Sequence, residues 1–561
     1  MELISQVELL STEYDVCVAN PPYMGGKGMN PLVKKFATKN FPNSKSDTYS
    51  MFVDQFITYV STSGYCAFVT PYTWMFLSSH EAFRSLLFSG RSIQSLVKPS
   101  YTSFFDSAIV PLVAFIITNS VENFKGKYIG LGYLGRGDEQ AGRLKSALVG
   151  NDEYPIYEAC YDDFSKIPGK PLAYWVSDSI RQSFEKFEPL ASACSASNGI
   201  QTGNNEQFVR YWHEISSSSL GTKWYPYNKG GEYRKWFGNN HFVVDWENNG
   251  QRIKARNNSC IRGENLYFSS GITWSDITSG KSSFRYFPEG FLFDAKGPSA
   301  FFKESPSLGL GFLNTKLVEF FSGLLNPTLS FQIGDFKKMP FCGQMKIDSN
   351  AIEKLVAQCL SNSQTDWNNY ECSGDFKSLP LLQAPFDLVN SLESRCAILN
   401  TQVDEMVSEM QRLEEENNRI FIEAYELHNE LKPKVPIKEI TLTCNPHYRY
   451  GGDKSEEELE ELLRTDTMKE LISYAIGCMM GRYSLDAPGL IMASQGESLE
   501  DYLTRVDKPL DALQFEPDDD GIVPILEETY FGDDCYHRLV EFLTVTFDGA
   551  TLDENLQFLA S

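Results

Sequence analysis

Four consecutive residues carry the clearest chemistry: Asn20, Pro21, Pro22 and Tyr23. The asparagine side chain and a proline backbone each offer a carbonyl oxygen. The amino nitrogen at adenine N6 is a poor nucleophile, because its lone pair is delocalised into the ring. Two acceptors facing its hydrogens would favour a pyramidal, more reactive nitrogen, and Asn20 Oδ1 with the Pro21 carbonyl can supply them. Neither proline has an N–H, and each has φ fixed by its ring, so the turn presents carbonyls rigidly. Tyr23 adds a ring on which a base can stack. The base must leave the duplex to reach such a corner, since N6 is inaccessible inside the stack.

The flanking elements must position that corner. Tyr14–Ala19 (YDVCVA) reads as a short buried strand running directly into the motif. Residues 45–62 read as a helix with Tyr49, Phe52, Val53, Phe56 and Tyr59 on one face. Tyr65–Thr70 is a second apolar strand, entered through Gly64 and stopped by Pro71, and Ser79–Phe88 is a second helix. Strands at Ile93–Lys98 and Ile109–Asn119 follow. Strands alternating with helices predict a doubly wound α/β sheet, where ligands bind outside the carboxyl ends of the strands.

Beyond about Leu190 the character changes. Residues 195–345 are rich in Gly, Asn, Ser and aromatics, with short extended pieces, and predict a mostly β module. Within it Arg210, Lys229, Arg234, Lys235, Arg252, Lys254, Arg256, Lys281 and Arg285 are interleaved with Tyr, Trp and Phe. Gln201, Asn204 and Asn205 follow a glycine-containing turn and are candidates to read base edges. Of the basic residues, Arg210, Lys229, Arg234, Lys235, Lys281 and Arg285 are expected to hold phosphates. From about 383 the pattern turns helical. Val389, Cys396, Val403, Met410, Asn417 and Ala424 recur every seven residues, as do Leu392, Leu399, Met406, Leu413, Ile420 and Leu427. That seam fits either a long helix packed on its own protein or a coiled coil with another helix.

Charge is unevenly spread. Of the net −24, residues 1–350 contribute +2 and residues 351–561 contribute −26. A nucleic-acid groove therefore belongs to the first part, and the acidic tail does something else. The twelve cysteines and six histidines are scattered, with no C-x-x-C pair, so neither a zinc site nor a disulfide framework is expected. No run of 18 apolar residues occurs, and the N-terminus lacks a signal-peptide pattern, which predicts a cytoplasmic protein without a membrane span.

The segments NPPYMGGKGMNP, GIQTGNNEQFVRYWHEI, KWYPYNKGGEYRKWFGNN, GITWSDITSGKSSFRYFPEG and LLNPTLSFQIGDFKKMP, with NNRIFIEAYEL, LISYAIGCMMGRYSLDAPGLI and FEPDDDGIVPI in the tail, resemble the PglX family. These are adenine-specific DNA methyltransferases of bacteriophage-exclusion (BREX) systems. The resemblance covers nearly the whole chain. It implies a partial doubly wound methyltransferase sheet at 1–190, a mostly β target-recognition domain at 191–345, a helical linker with the heptad seam at 346–436 and an acidic, α-rich domain at 437–561. It further implies S-adenosylmethionine as methyl donor, double-stranded DNA modified at a short non-palindromic site as substrate, and a second base-pocket wall near Phe104 and Phe105.

One departure matters. The family's glycine-rich cofactor motif lies upstream of NPPY, and here 19 residues precede Asn20. The expectation is an incomplete cofactor site, with an N-terminal fragment or other BREX components as partners. A permuted alternative is Gly130-Leu131-Gly132-Tyr133-Leu134-Gly135, which fits G-x-G-x-x-G but has only Asp152 and Glu153 as the acidic partner. Two rival classes remain. A nuclease is suggested by Pro288-Glu289 with Asp294-Ala295-Lys296, which would need a carboxylate-held metal. A non-catalytic DNA-recognition and assembly subunit is suggested by the missing cofactor motif.

Overall fold

The computed structural model describes residues 2–100, 111–119, 124–132, 135–150, 153–277, 281–326, 331–343, 347–383, 391–494, 496–525 and 531–561. The chain divides into two compact units. The first comprises Met1–Leu190 with Phe320–Thr328 and Lys338–Phe341, the second Ala191–Glu319, Leu329–Lys337 and Cys342–Ser561.

The first unit is built on a six-stranded sheet. In chain order its elements are α1 (Glu2–Ser11), β1 (Tyr14–Ala19), α2 (Pro31–Asn40), α3 (Thr48–Phe56), β2 (Val60–Pro71), α4 (Glu81–Phe88), β3 (Ser92–Lys98), β4 (Leu112–Thr118), β5 (Gly126–Gly130), α5 (Gly137–Leu148) and β6 (Ile156–Ala159). The spatial order is β1-β2-β4-β3-β5-β6. β1 pairs parallel with β2 and β3 with β5, while β4 runs antiparallel to both β2 and β3, and β6 antiparallel to β5. The carboxyl ends of β1, β2, β3 and β5 therefore share one edge. The sheet is mixed rather than purely parallel, because β4 inserts between β2 and β3 as a hairpin partner.

Side-chain alternation sorts the two faces. Leu96, Phe115, Phe68 and Tyr128 join Tyr49 and Val53 of α3 and Phe83 and Leu87 of α4 in the main core, with Cys17 and Ala19 of β1 packed against it. On the other face Val97, Ile129 and Leu131 pack on Leu144 and Ala147 of α5. That second face is open at its other end: Val16 is 57% exposed, Val18 75%, Tyr65 46% and Ile116 37%. Gly64 marks the bulge where the β1–β2 register shifts; a Cβ there would lie 2.4 Å from Val60 and 2.6 Å from the Asp15 carbonyl. The helix expected over 45–62 is shorter, because Asp47 caps it and the strand begins at Val60.

The second unit carries two four-stranded sheets over 194–302. One has the order β13 (Leu292–Phe293), β9 (Trp224–Asn228), β10 (Phe242–Asp245), β8 (Val209–Tyr211). The other has the order β12 (Arg285–Phe287), β11 (Gly271–Thr273), β14 (Ser299–Phe302), β7 (Cys194–Ser197). The C-terminal part is helical, as the pattern predicts. The heptad segment forms one 33-residue helix, Leu392–Ala424. Its seam packs inside this unit, against the helices Ser349–Asn368 and Pro306–Leu313. Asn417 donates to the Gly311 carbonyl at 2.9 Å, and Phe421 lies 5.7 Å from Phe312. The reading of a helix packed on its own protein is the one observed. Val389 lies outside the described residues.

Candidate active site

The Asn20–Tyr23 corner sits where β1 ends, on the shared carboxyl edge of the sheet. Asn20 and Tyr23 face solvent while Pro21 is buried. The loop is pinned from the start of α3. The Thr48 hydroxyl donates to the Pro22 carbonyl at 2.6 Å. The Asp47 carboxylate accepts from Met24 N at 2.9 Å, and Thr48 N donates to the Met24 carbonyl at 3.2 Å. Asp47 is at the same time the N-cap of α3, accepting from Tyr49 N. One residue thus ties the helix start to the loop. The bond from Thr48 falls on the Pro22 carbonyl, not on that of Pro21.

Tyr23 donates its hydroxyl to Asn20 Oδ1 at 2.6 Å and lies 3.2 Å from the Val69 carbonyl. Its ring meets Tyr49 edge to face at 6.2 Å. Partial burial raises the Tyr23 phenol above its usual range, so it is a proton donor at neutral pH. Beneath it, Tyr49 contacts Thr73 Oγ1 and His80 Nε2, each at 3.3 Å. His80 is buried, and desolvation, helped by the Arg84 guanidinium, pushes its pKa down to about 4. The imidazole is neutral there, and its Nδ1 is buried without a hydrogen-bond partner.

The glycine loop considered for a cofactor follows β5 and precedes α5, which is the right strand–loop–helix order. On the flank toward α5 the space beside Gly132 and Gly135 is filled by side chains of that helix. A Cβ on Gly135 would lie 2.8 Å from the Gln140 amide and 3.0 Å from the Glu139 carboxylate, and one on Gly132 3.0 Å from Arg143. The first turn of α5 carries Asp138 and Glu139. The flank of the loop that faces α5 leaves no room for S-adenosylmethionine. Tyr133, Leu134 and Asp152 lie outside the described residues.

The family model for the Eco57I restriction-modification methylase matches residues 2–105. The adenine-specific methyltransferase BrxX of Escherichia coli O9:H4 (strain HS) is 35% identical over 570 residues, covering 99% of this chain and 46% of that protein. The adenine-specific methyltransferase PglX of Lacticaseibacillus casei (strain Zhang) is 34% identical over 587 residues, covering 100% of this chain and 46% of that protein. The chain is a homologue of these PglX-type methyltransferases. It spans about half the length of the curated relatives it matches. Among solved structures, the type IIL restriction-modification enzyme MmeI in complex with DNA aligns with 12% identity and a TM-score of 0.46, over 81% of this chain and 57% of that one.

The remaining expected site residues of this PglX-type chain fall into three groups. Phe104 and Phe105 lie outside the described residues. Gln201, Asn205, Arg210 and Lys229 have side chains at or near the surface, but the amides of the recognition turn also serve the fold. Asn204 caps a short helical turn by accepting from Gln207 N, and Asn205 Oδ1 accepts from Thr202. Arg210 stands 5.8 Å over the Trp224 ring and Lys229 5.0 Å over Phe242.

The third group corrects the expectation from sequence. Arg234, Lys235 and Arg285 do not face solvent; they are 5%, 7% and 1% exposed. Arg234 pairs with Asp366 at 3.2 Å, and Lys235 with Glu414 at 2.5 Å. Glu414 also accepts from Trp236 Nε1 at 2.8 Å. Arg285 donates to the Arg234 carbonyl, and burial pushes its pKa down to about 10. Lys281 is held between Glu319 at 2.9 Å and Glu439 at 3.0 Å. Arg234, Lys235 and Arg285 are committed to the interior of the second unit, and Lys281, partly exposed, is engaged by two carboxylates.

The nuclease constellation is not assembled either. Asp294 is buried and accepts from the Tyr227 hydroxyl at 2.7 Å and from Lys296 N at 2.7 Å, while the Lys296 ammonium pairs with Asp276. Burial raises the Asp294 carboxyl above its usual range. Among the described residues no single helix is long and apolar enough to cross a membrane.

Proposed function

We propose that this chain supplies the acceptor side of an adenine-N6 DNA methyltransferase: it receives an extruded adenine at Asn20–Tyr23 and presents N6 for methylation. The observation that carries the reading is the pinned corner, with Asn20 and Tyr23 exposed and the Pro22 carbonyl held by Thr48. Asn20 Oδ1 and the Pro21 carbonyl would accept from the amino group, and Tyr23 would stack on the ring. Phe104 and Phe105 would form the opposing wall. S-adenosylmethionine is the donor named by the family resemblance, and when bound it supplies the methyl group. Arg210 and Lys229 would hold phosphates, and Gln201 and Asn205 are the candidates to read bases. The division at 190, 345 and 436 belongs to this reading, as does a role in phage defence.

The open sheet supports a second polypeptide or segment as partner. β1 forms one edge of the sheet, and Val16 and Val18 are exposed beside it. A chain that pairs with this edge and covers those side chains would remove the exposed template and the apolar patch together. The same observation favours the second reading, a recognition and assembly subunit without catalysis.

One experiment separates the two. The chain is mixed with a polypeptide corresponding to the part of PglX-type relatives that it does not span, with labelled S-adenosylmethionine and DNA. Methyl transfer that is lost in Asn20→Ala supports the enzyme reading. DNA binding without transfer in that mixture supports the assembly subunit. Saturable cofactor binding by calorimetry to this chain alone would overturn the assignment of the donor site elsewhere.

A further inference from the structure

A second recess lies on the same edge of the sheet as the Asn20–Tyr23 corner, at the ends of β3 and β5. It has a volume of about 320 Å³ and is lined by Lys98, Gly130, Tyr154, Tyr157, Trp175 and the Glu153 carboxylate, which accepts from the Tyr154 hydroxyl at 2.9 Å. We propose that it is a nucleotide pocket: the rings take a nucleobase by stacking and the Lys98 ammonium takes its phosphate.

Three features favour that ligand. The walls are aromatic and fixed. Tyr174, which also lines the recess, is 5% exposed; it stacks on Tyr128 at 5.2 Å, meets Tyr157 at 5.6 Å and meets Trp175 edge to face at 5.0 Å. Trp175, at 36% exposed, presents its free surface, and every base offers a π-face to such a platform. The strand-end floor at Gly130 brings no Cβ; one built there would lie 3.1 Å from the Tyr174 hydroxyl. Lys98 is the last residue of β3, and its ammonium stands 5.2 Å over the ring of Tyr72, next to Pro71 at the end of β2. Burial lowers its pKa, and an incoming phosphate would restore it. The volume suits one nucleotide rather than a large cofactor.

The recess cannot hold the base that the Asn20 corner holds. β3 and β5 stand three and four places from β1 in the sheet. At about 4.8 Å per place the two sites are roughly 14–19 Å apart, on the order of four to six base steps of DNA. The ligand is therefore a different nucleotide, either free or displaced from the strand that carries the target.

The test uses the full chain and titrates dAMP, dTMP and deoxyribose 5-phosphate by calorimetry, with a short single-stranded oligonucleotide as a parallel arm. Saturable binding of dAMP and dTMP, but not of the sugar phosphate, is expected. It should weaken at least about tenfold in Trp175→Leu and in Lys98→Met, return in Lys98→Arg, and persist in Asn20→Ala. Tighter binding of the oligonucleotide than of dAMP assigns the pocket to a nucleotide within DNA; the reverse assigns it to a free mononucleotide. Binding of neither ligand, or binding lost in Asn20→Ala and kept in the Trp175 and Lys98 variants, overturns the proposal. Since Asn20 is intact in the pocket variants, failure here is distinguishable from failure of the methyltransferase reading.

Discussion

The Tyr23 hydroxyl donates to Asn20 Oδ1 at 2.6 Å, so the acceptor that a target amine needs is already in use. The phenol occupies one lone pair of the oxygen that would accept an adenine N–H. A base arriving at Asn20 would compete with it for that oxygen. Removing only the hydroxyl should then leave stacking intact and relieve the competition. Tyr23→Phe is expected to bind a duplex with a mispaired target adenine beside a 2-aminopurine at least as well as the wild type. Tyr23→Ala should lose on the order of 1–3 kcal/mol of binding. Fluorescence of the unstacked 2-aminopurine reports both; equal losses in the two variants would mean that the hydroxyl, not the ring, holds the base.

Thr48 and Asp47 hold the loop by different bonds, and their variants should separate. Thr48→Val keeps the shape and deletes the 2.6 Å bond to Pro22, which should cost about 1 kcal/mol, with Thr48→Ser restoring it. Asp47→Ala removes a helix cap and the tie to Met24 together, and should cost about 1–2 kcal/mol. Asp47→Asn keeps the cap and should lie between. Urea denaturation followed by tryptophan fluorescence measures the order, and an unchanged midpoint in Asp47→Ala would show that the loop is not anchored there.

His80 makes the first unit acid-sensitive. Its pKa falls to about 4 in the fold from an ordinary 6.5, so the unfolded chain binds more protons between those values. Stability is full above about pH 6.5 and is lost as pH falls toward about 4. The loss from this group should reach about 2 kcal/mol by pH 5. Comparing wild type with His80→Gln across pH 7 to 5 isolates it. Parallel stability curves for the two proteins would rule out a neutral buried imidazole.

The basic residues of the second unit should divide sharply by burial. Lys235→Met strands the Glu414 carboxylate in the interior and should destabilise by about 3–5 kcal/mol, with Glu414→Gln, which keeps an acceptor for Trp236 Nε1, added in the same chain restoring most of it. Lys229→Ala and Arg210→Ala should leave the melting temperature nearly unchanged. They should weaken DNA binding and each lower its salt slope by about one. DNA affinity measured at several salt concentrations, beside thermal melts, checks both halves. A surface variant that melts early, or a salt slope unmoved by both, would reverse the division.

What the sequence determined by itself was local. The strand YDVCVA, the two prolines after Asn20 and the seven-residue apolar repeat each depend on near neighbours, and each forms where the pattern puts it, although the strand expected to be buried leaves Val16 and Val18 exposed. Tertiary structure decided what long-range pairing decides. Lys235 finds Glu414 and Arg234 finds Asp366 across well over a hundred residues of chain, so sequence spacing could not separate these buried cations from Lys229 and Arg210 at the surface. The seam of Leu392–Ala424 is satisfied by Ser349–Asn368 and Pro306–Leu313, which periodicity alone cannot distinguish from a separate partner. Gly132 and Gly135 lie between a strand and a helix as in a nucleotide loop, yet Arg143, Glu139 and Gln140 fill the space on their α5 side. Periodicity reports that a face will be buried; only packing says against what.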